Sequence, residues 1–312
     1  MGLDLSVEIG GLKFKNPVIL ASGCAGYGLE FEDFFDISLA GGVSLKGLSV
    51  KGSGGTHPPR IWETPAGLIN AIGLQNIGID AFIRDKAPKL RKIDTVFIAN
   101  FYGHRIEEYT EAGVMLDQEE CVDALEMNIS CPNISEGGIQ FGVNPPLVYK
   151  VVSACRKAIK KPLWVKLSPS SDIRETAKAA VEGGADALTV INTIPAMAVD
   201  VEKIEFRIHN RVGGLSGPAI HPIAVRMVND ACQTVKAPVI GCGGVEKAED
   251  GIEFMLLGAT AFQVGTALFR NPLAPVEIIE GLEKYLERHG FSSMNEIIGK
   301  LHNGNDKPRS CS

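Results

Sequence analysis

The sequence predicts a single α/β domain of the (β/α)8 TIM-barrel type, with long βα loops on the C-terminal face. Three observations predict it. Eight short runs rich in Val, Ile and Leu recur along the chain, each read as a strand buried on both faces, as parallel sheets require. Segments of helical period separate these runs. No GxGxxG follows an early strand, although the competing doubly wound sheet would more often carry one. A length of 312 residues fits one such domain, since an α/β barrel commonly takes about 250 residues.

The eight runs are residues 18–21, 43–48, 95–99, 124–129, 163–167, 187–191, 238–241 and 261–264. Helical segments include 145–159, 173–182, 222–234, 248–257 and 275–289. Gly183-Gly184-Ala185 and Gly258-Ala259 follow two of them, where a helix ends and the chain turns into the next strand. Three connections are long, 49–76, 131–144 and 193–218, and all three follow strands, which puts them where barrel sites are built. The first is dense in Gly and Pro, yet an apolar stretch at 68–74 favours an ordered binding loop over a disordered one. Residues 1–312 are read as one domain, with a flexible tail expected over about 300–312.

Composition narrows the function. The chain is 45% hydrophobic and 22% charged, with a net charge of −6, so it lacks the basic footprint that nucleic acid or an anionic membrane attracts. No apolar run approaches the ~20 residues of a membrane span, and no signal-peptide pattern opens the chain. Seven cysteines lie scattered without a CxxC pair, which disfavours a disulfide framework, a zinc site or a self-contained iron–sulfur site and suits a reducing cytoplasm. The six histidines show no metal-ligand spacing and there is no GxSxG elbow, so metal hydrolysis and serine chemistry are disfavoured.

The residues able to carry chemistry cluster at presumed strand ends. Gly241-Cys242-Gly243-Gly244-Val245 ends strand seven and Gly265-Thr266-Ala267 ends strand eight. Paired glycine turns let backbone N–H groups approach a phosphate, although they also occur as plain tight corners. Lys46 and Lys166 close apolar strands, where an ammonium meets a ligand or a carboxylate unless the strand end is simply solvated. Cys131 sits where strand four meets its loop; the other six cysteines read as inert packing, and position alone leaves Cys131 open between the two. Asn70, Asn128, Asn133 and Asn192 offer donors and an acceptor to a ring that alternates N–H and C=O groups, as a pyrimidinedione does. Any one of them could instead be a turn or cap residue.

These residues bring out a family likeness that covers nearly the whole chain. The sequence resembles the dihydroorotate dehydrogenases, and among them the NAD-linked class 1B catalytic subunits. The likeness rests on Asn16-Pro17 through Ala21-Ser22-Gly23-Cys24, on Glu63-Thr64-Pro65-Ala66-Gly67, and on Asn70-Ala71-Ile72-Gly73-Leu74-Gln75-Asn76. It extends through Asn128-Ile129-Ser130-Cys131-Pro132-Asn133, through Gly213-Gly214-Leu215-Ser216-Gly217 and through both glycine turns. Asn133 stands where relatives that reduce uracil-type rings carry histidine, and Gly137-Gly138 with Phe141-Gly142 follows as in class 1B.

The resemblance implies FMN held by Ala21, Ser22, Lys46, Asn100, Asn128, Lys166, Ser216, Gly217, Gly243, Gly244, Gly265 and Thr266, with its phosphate at the glycine turns. It implies dihydroorotate held by Lys46, Asn70, Asn128, Asn133, Asn192 and Thr193. Cys131 would take a proton from carbon 5 while carbon 6 delivers hydride to the flavin, and Lys166 would stabilise reduced flavin. It further implies a homodimer associated with a subunit carrying FAD and a [2Fe-2S] cluster, because this chain has no dinucleotide fingerprint and no cluster spacing of its own. Phe101-Tyr102-Gly103 and Pro195-Ala196-Met197-Ala198 depart from the usual family pattern. Two other readings compete: flavin chemistry on another dihydropyrimidine, and a non-redox phosphate-binding barrel acting as lyase or isomerase.

Overall fold

The computed structural model describes residues 2–129 and 141–303, so residues 131–140 of the 131–144 connection, Cys131 and Asn133 among them, lie outside the described residues. The described chain begins with an antiparallel hairpin, β1 (Val7–Ile9) and β2 (Leu12–Phe14), turned through Gly10 and Gly11. The barrel starts with β3 (Val18–Leu20) and β4 (Gly42–Ser44), and β5 (Ile61–Thr64) and β6 (Gly67–Asn70) form a hairpin inside the connection that follows. It resumes with β7 (Val96–Phe101), β8 (Ala124–Asn128), β9 (Leu163–Lys166) and β10 (Ala187–Val190). The short strands β11 (Ile194–Met197), β12 (Val199–Asp200), β13 (Glu205–Phe206) and β14 (Val212–Ser216) fill the next connection, and β15 (Val239–Cys242) and β16 (Ala261–Val264) complete the ring.

All eight predicted runs are barrel strands. They pair in parallel in chain order, and β16 closes the ring on β3, for example through Gln263 opposite Ile19. Their side chains are buried almost without exception, which is why the runs read as continuous apolar stretches rather than as alternation. Trp164 and Phe14, both fully buried, meet with ring centroids 5.9 Å apart, so the N-terminal hairpin packs onto the barrel interior.

The outer helices are α1 (Ile79–Asp85), α2 (Ala87–Leu90), α3 (Ile106–Asp117), α4 (Pro145–Ala158), α5 (Ile173–Glu182), α6 (His221–Cys232), α7 (Ala248–Leu256), α8 (Ala267–Arg270), α9 (Ala274–His289) and α10 (Lys300–Asn303). Their starts follow sequence chemistry. The Asn144 side chain accepts from Leu147 N at the head of α4, where Pro145 has no N–H that needs an acceptor, and Asp172 does the same for α5. The inward face of α4 is Val148, Val151, Val152 and Cys155, at helical spacing.

Eight equal strand–helix units are not what forms. Between β3 and β4 the described chain has only the 3-10 turn Ile37–Leu39, because Gly23, Gly26 and Gly28 all take positive φ and interrupt any helix there. The 49–76 connection is ordered, as expected, but it is more than a loop. Strands from it and from the 193–218 connection build one four-stranded antiparallel sheet in the order β11-β14-β6-β5. Tyr102 ties that segment to the barrel, its hydroxyl donating to Leu74 O at 3.1 Å and accepting from Asn76 Nδ2 at 2.8 Å, which gives a structural use to one of the departures from the family pattern. At the other end, α10 docks through His302 on Asn229, while residues 304–312 lie outside the described residues.

Candidate active site at the barrel mouth

The predicted site residues within the described chain fall at or just beyond the C-terminal ends of barrel strands, or on the sheet beside them. Ala21 and Ser22 follow β3, Lys46 follows β4, and Asn100 is the penultimate residue of β7. Asn128 ends β8, Lys166 ends β9, and Asn192 and Thr193 lie just past β10. Gly243 and Gly244 follow β15, and Gly265 and Thr266 follow β16. Parallel strands all point their carboxyl ends one way, so residues scattered over 245 positions of sequence, from 21 to 266, collect on one face.

The floor of this face is polar and buried. Lys166 is only 5% exposed, and its Nζ donates to Gln263 Oε1 at 2.9 Å. Burial works against the ammonium, but the Cys242 sulfur, Glu126 and Cys24 around it hold the lysine above its ordinary pKa. Lys46, half-buried, is pushed the other way by desolvation. Asn100 donates from Nδ2 to Glu126 at 2.7 Å, while its Oδ1 is buried without a hydrogen-bond partner among the described residues.

Substrate-type amides converge beside it. Asn192 Nδ2 lies 3.4 Å from Asn128 Oδ1, and Asn192 Oδ1 accepts from Thr193 N at 2.7 Å. Tyr109 donates to the Asn128 carbonyl at 2.8 Å, fixing the end of β8. Asn70 sits opposite Gly214 in the accessory sheet and donates to its carbonyl at 3.3 Å. A methyl on Gly214 would overlap the Thr193 hydroxyl, so the glycine is what allows β14 to lie against Thr193. Ser216, two residues on, bonds back to Leu68 O.

The glycine turns also come together. A Cβ on Gly244 would stand 2.8 Å from Gly217 O and 2.7 Å from His221 Cβ, and one on Gly217 would stand 3.6 Å from Thr266 Cγ2. The turns at Gly217 and Gly244 are therefore in direct contact, with Thr266 beside Gly217. His221, absent from the sequence-based candidates, clamps this turn: Nδ1 bonds Gly243 O at 2.8 Å and Nε2 bonds Glu253 at 2.9 Å.

Other residues were also not legible in advance. Ser44, Glu126, Thr189 and Gln263 line the floor, all essentially unexposed. A signal was present: Glu126 and Gln263 are each a lone polar long-chain residue inside an apolar strand, Ala124–Asn128 and Ala261–Val264. Among the described residues the five cysteines are free and no group of side chains could hold a metal. Burial pushes the Cys24, Cys121, Cys155 and Cys232 thiols up to about 12, so these are inert packing, as expected.

A closed parallel barrel with a buried ammonium, a cluster of amides and paired glycine turns at one mouth has the architecture of an α/β-barrel enzyme with its site at the C-terminal face. The pattern of the dihydroorotate dehydrogenase family matches residues 4–286. The chain is 53% identical over 299 residues to the dihydroorotate dehydrogenase B (NAD(+)) catalytic subunit of Geotalea uraniireducens, covering 96% of this chain and 98% of that one. It is 51% identical to the protein so described from Thermodesulfovibrio yellowstonii, over 95% and 98% of the two chains. A crystal structure of DHODH from Eimeria tenella in complex with ferulenol superposes with a TM-score of 0.80 at 22% identity, covering 96% of this chain and 89% of that one, which shows the shared fold. The chain belongs to the dihydroorotate dehydrogenase family, a family of flavin-dependent oxidoreductases.

Proposed function

We propose that this chain is the catalytic subunit of an enzyme that oxidises dihydroorotate to orotate in pyrimidine biosynthesis, with FMN at the barrel mouth. Its electrons pass to NAD+ through a partner subunit carrying FAD and a [2Fe-2S] cluster. The observation that carries the reading is the buried Lys166 ammonium, held charged at the floor of a mouth rimmed with amides. The relatives at about half identity over nearly the full length are named for the same activity.

The residues present fit FMN. The buried Asn100 Oδ1 has an acceptor to offer, and the glycine turns at Gly217 and Gly244 lie in contact beside Thr266 with positive-φ backbones of the kind that present N–H groups to a phosphate. Ala21, Ser22, Lys46, Asn100, Asn128, Lys166 and Ser216 would hold the ring system, and Gly217, Gly243, Gly244, Gly265 and Thr266 the phosphate. When bound, FMN supplies a two-electron acceptor for the hydrogen that leaves carbon 6 of the substrate. Asn70, Asn128, Asn133, Asn192 and Thr193, with Lys46, orient the ring through paired donors and acceptors. Cys131, as its thiolate, accepts the proton of carbon 5 and becomes the thiol, a task suited to a group whose reference pKa is about 8.5 in a site that excludes water. Lys166 favours the negative charge that develops nearby.

The same reading makes the chain a homodimer in the cytoplasm. The dimer is supported by exposed apolar side chains on the accessory strands, Met197, Val199, Phe206 and Val212, and on the turn between β12 and β13, Val201 and Ile204. The cytoplasm is supported by the free thiols. Among the described residues no helix is long and apolar enough to cross a membrane.

The test is the visible spectrum of the purified full-length chain. A flavin spectrum bleached by dihydroorotate is expected, with turnover on artificial acceptors but little on NAD+ until the partner is added. A colourless protein, or one bleached by dihydrouracil and not by dihydroorotate, refutes the reading.

A further inference from the structure

Glu126 lies in the middle of β8 with no exposed surface. Its Oε1 accepts from Ser44 Oγ at 2.9 Å and Asn100 Nδ2 at 2.7 Å. Its Oε2 accepts from Thr189 Oγ1 and Gln263 Nε2, both at 2.7 Å. Donors thus surround both oxygens, an environment for an ionised carboxylate and a poor one for a protonated acid. The barrel interior at this level would ordinarily be filled by branched apolar side chains. Here β4, β7, β8, β10 and β16 each give it a polar group instead.

A buried carboxylate needs a countercharge, and the one buried with it is Lys166. The two are joined by Gln263, which donates to Glu126 from Nε2 while its Oε1 accepts from Lys166 Nζ at 2.9 Å. Because the carboxylate can only accept, it dictates which way the Gln263 amide faces, and so presents an oxygen rather than an NH2 group to the ammonium. The other titratable groups around Lys166 are the Cys242 and Cys24 thiols; burial pushes both pKa values up, Cys24 to about 12, which favours the neutral thiols and leaves Glu126 as the anion.

We propose that Glu126, acting through Gln263, is the positioning residue that keeps the Lys166 ammonium charged and aimed at the flavin, and thereby sets the flavin's reduction potential without touching it. The inference rests on the flavin reading given above. Burial opposes ionisation of Glu126, yet Lys166 and the hydrogen bonds from Thr189, Asn100 and Ser44 hold its pKa below the ordinary value, as the pairing requires. Without this negative charge a lysine so buried sheds its proton, and the reduced, anionic flavin loses its nearest positive charge.

The test measures the midpoint potential of the flavin in the full-length chain. Glu126→Gln is expected to shift the two-electron reduction equilibrium at least tenfold toward oxidised flavin, about 30 mV downward. Lys166→Met is expected to give a similar fall, and the double variant no more than either alone, since both act through one charge. A yellow Glu126→Gln protein with an unmoved or raised potential overturns the inference, as does an equal additional fall when the two changes are combined. Should Glu126→Gln alone fail to fold, the double variant, which removes both charges, is expected to recover soluble protein. Failure of the double variant where Lys166→Met folds overturns the pairing. A colourless wild type overturns the flavin reading itself and is told apart by that colour.

Discussion

Gly244→Ala offers a direct test of where the cofactor phosphate binds. Gly244 has φ +72°, a region an L-residue enters at a cost of about 1–2 kcal/mol. The added methyl would also stand 2.7 Å from His221 Cβ and 2.8 Å from Gly217 O. Neither neighbour is the free end of a flexible side chain: His221 opens α6 and is bonded to Gly243 O, and Gly217 O is backbone. The turn itself must therefore move by several tenths of an ångström, taking its N–H groups away from the phosphate. Moving the turn back to bind the cofactor then opposes association by at least ~1.4 kcal/mol, tenfold in affinity. The assay is titration of the apoprotein with FMN by flavin fluorescence, with thermal unfolding of apo and loaded protein in parallel. A weaker Kd is expected, together with an apo unfolding midpoint lowered by the backbone strain and a smaller rise of that midpoint on adding FMN than in the wild type. Wild-type FMN affinity in a variant that folds would refute phosphate binding at this turn.

Three further outcomes follow from the same geometry. Cys131→Ala keeps flavin and orotate binding, read by spectral titration, but loses most turnover, whereas Cys131→Ser is slow at neutral pH and partly recovers as pH rises. His221→Ala frees Gly243 O and Glu253, so flavin should dissociate several-fold faster, in line with ~1 kcal/mol for one such hydrogen bond; an unchanged dissociation rate would remove the clamp. For the Arg91–Glu119 pair at 2.8 Å, burial opposes ionisation of Glu119, but Arg91 and the Cys121 amide hold its pKa below the ordinary value. A carboxyl whose folded pKa is lowered contributes stability at neutral pH that disappears as pH falls through that value. The unfolding midpoint of Arg91→Ala should therefore lie below wild type at neutral pH and converge with it in acid; a gap independent of pH would contradict this.

The barrel was legible because its signal is local. Runs such as 163–167 and 261–264 are continuous apolar stretches, and such stretches have few uses other than strands buried on both faces. Lys46 and Lys166 stood out for the same reason, as charges interrupting those runs. The accessory sheet was not legible: Asn70 meets Gly214 across 144 residues, and neither connection alternates clearly enough to read as strand. His221 was hidden too, since a histidine near a proline at a helix start resembles any other until its ring is seen against Gly243.

The sequence alone determined the number of barrel strands, the polarity of their ends and the residue types at the mouth, because these follow from apolar patterning and from glycine and amide chemistry at each position. Only the tertiary structure decided which of those residues meet. Closing the ring brings Glu126, Gln263 and Lys166 within hydrogen-bond reach across 137 residues of chain, and pairing of the accessory strands carries Asn70 to Gly214, against which Thr193 also lies. Such contacts depend on the geometry of closure, which no single stretch of sequence contains.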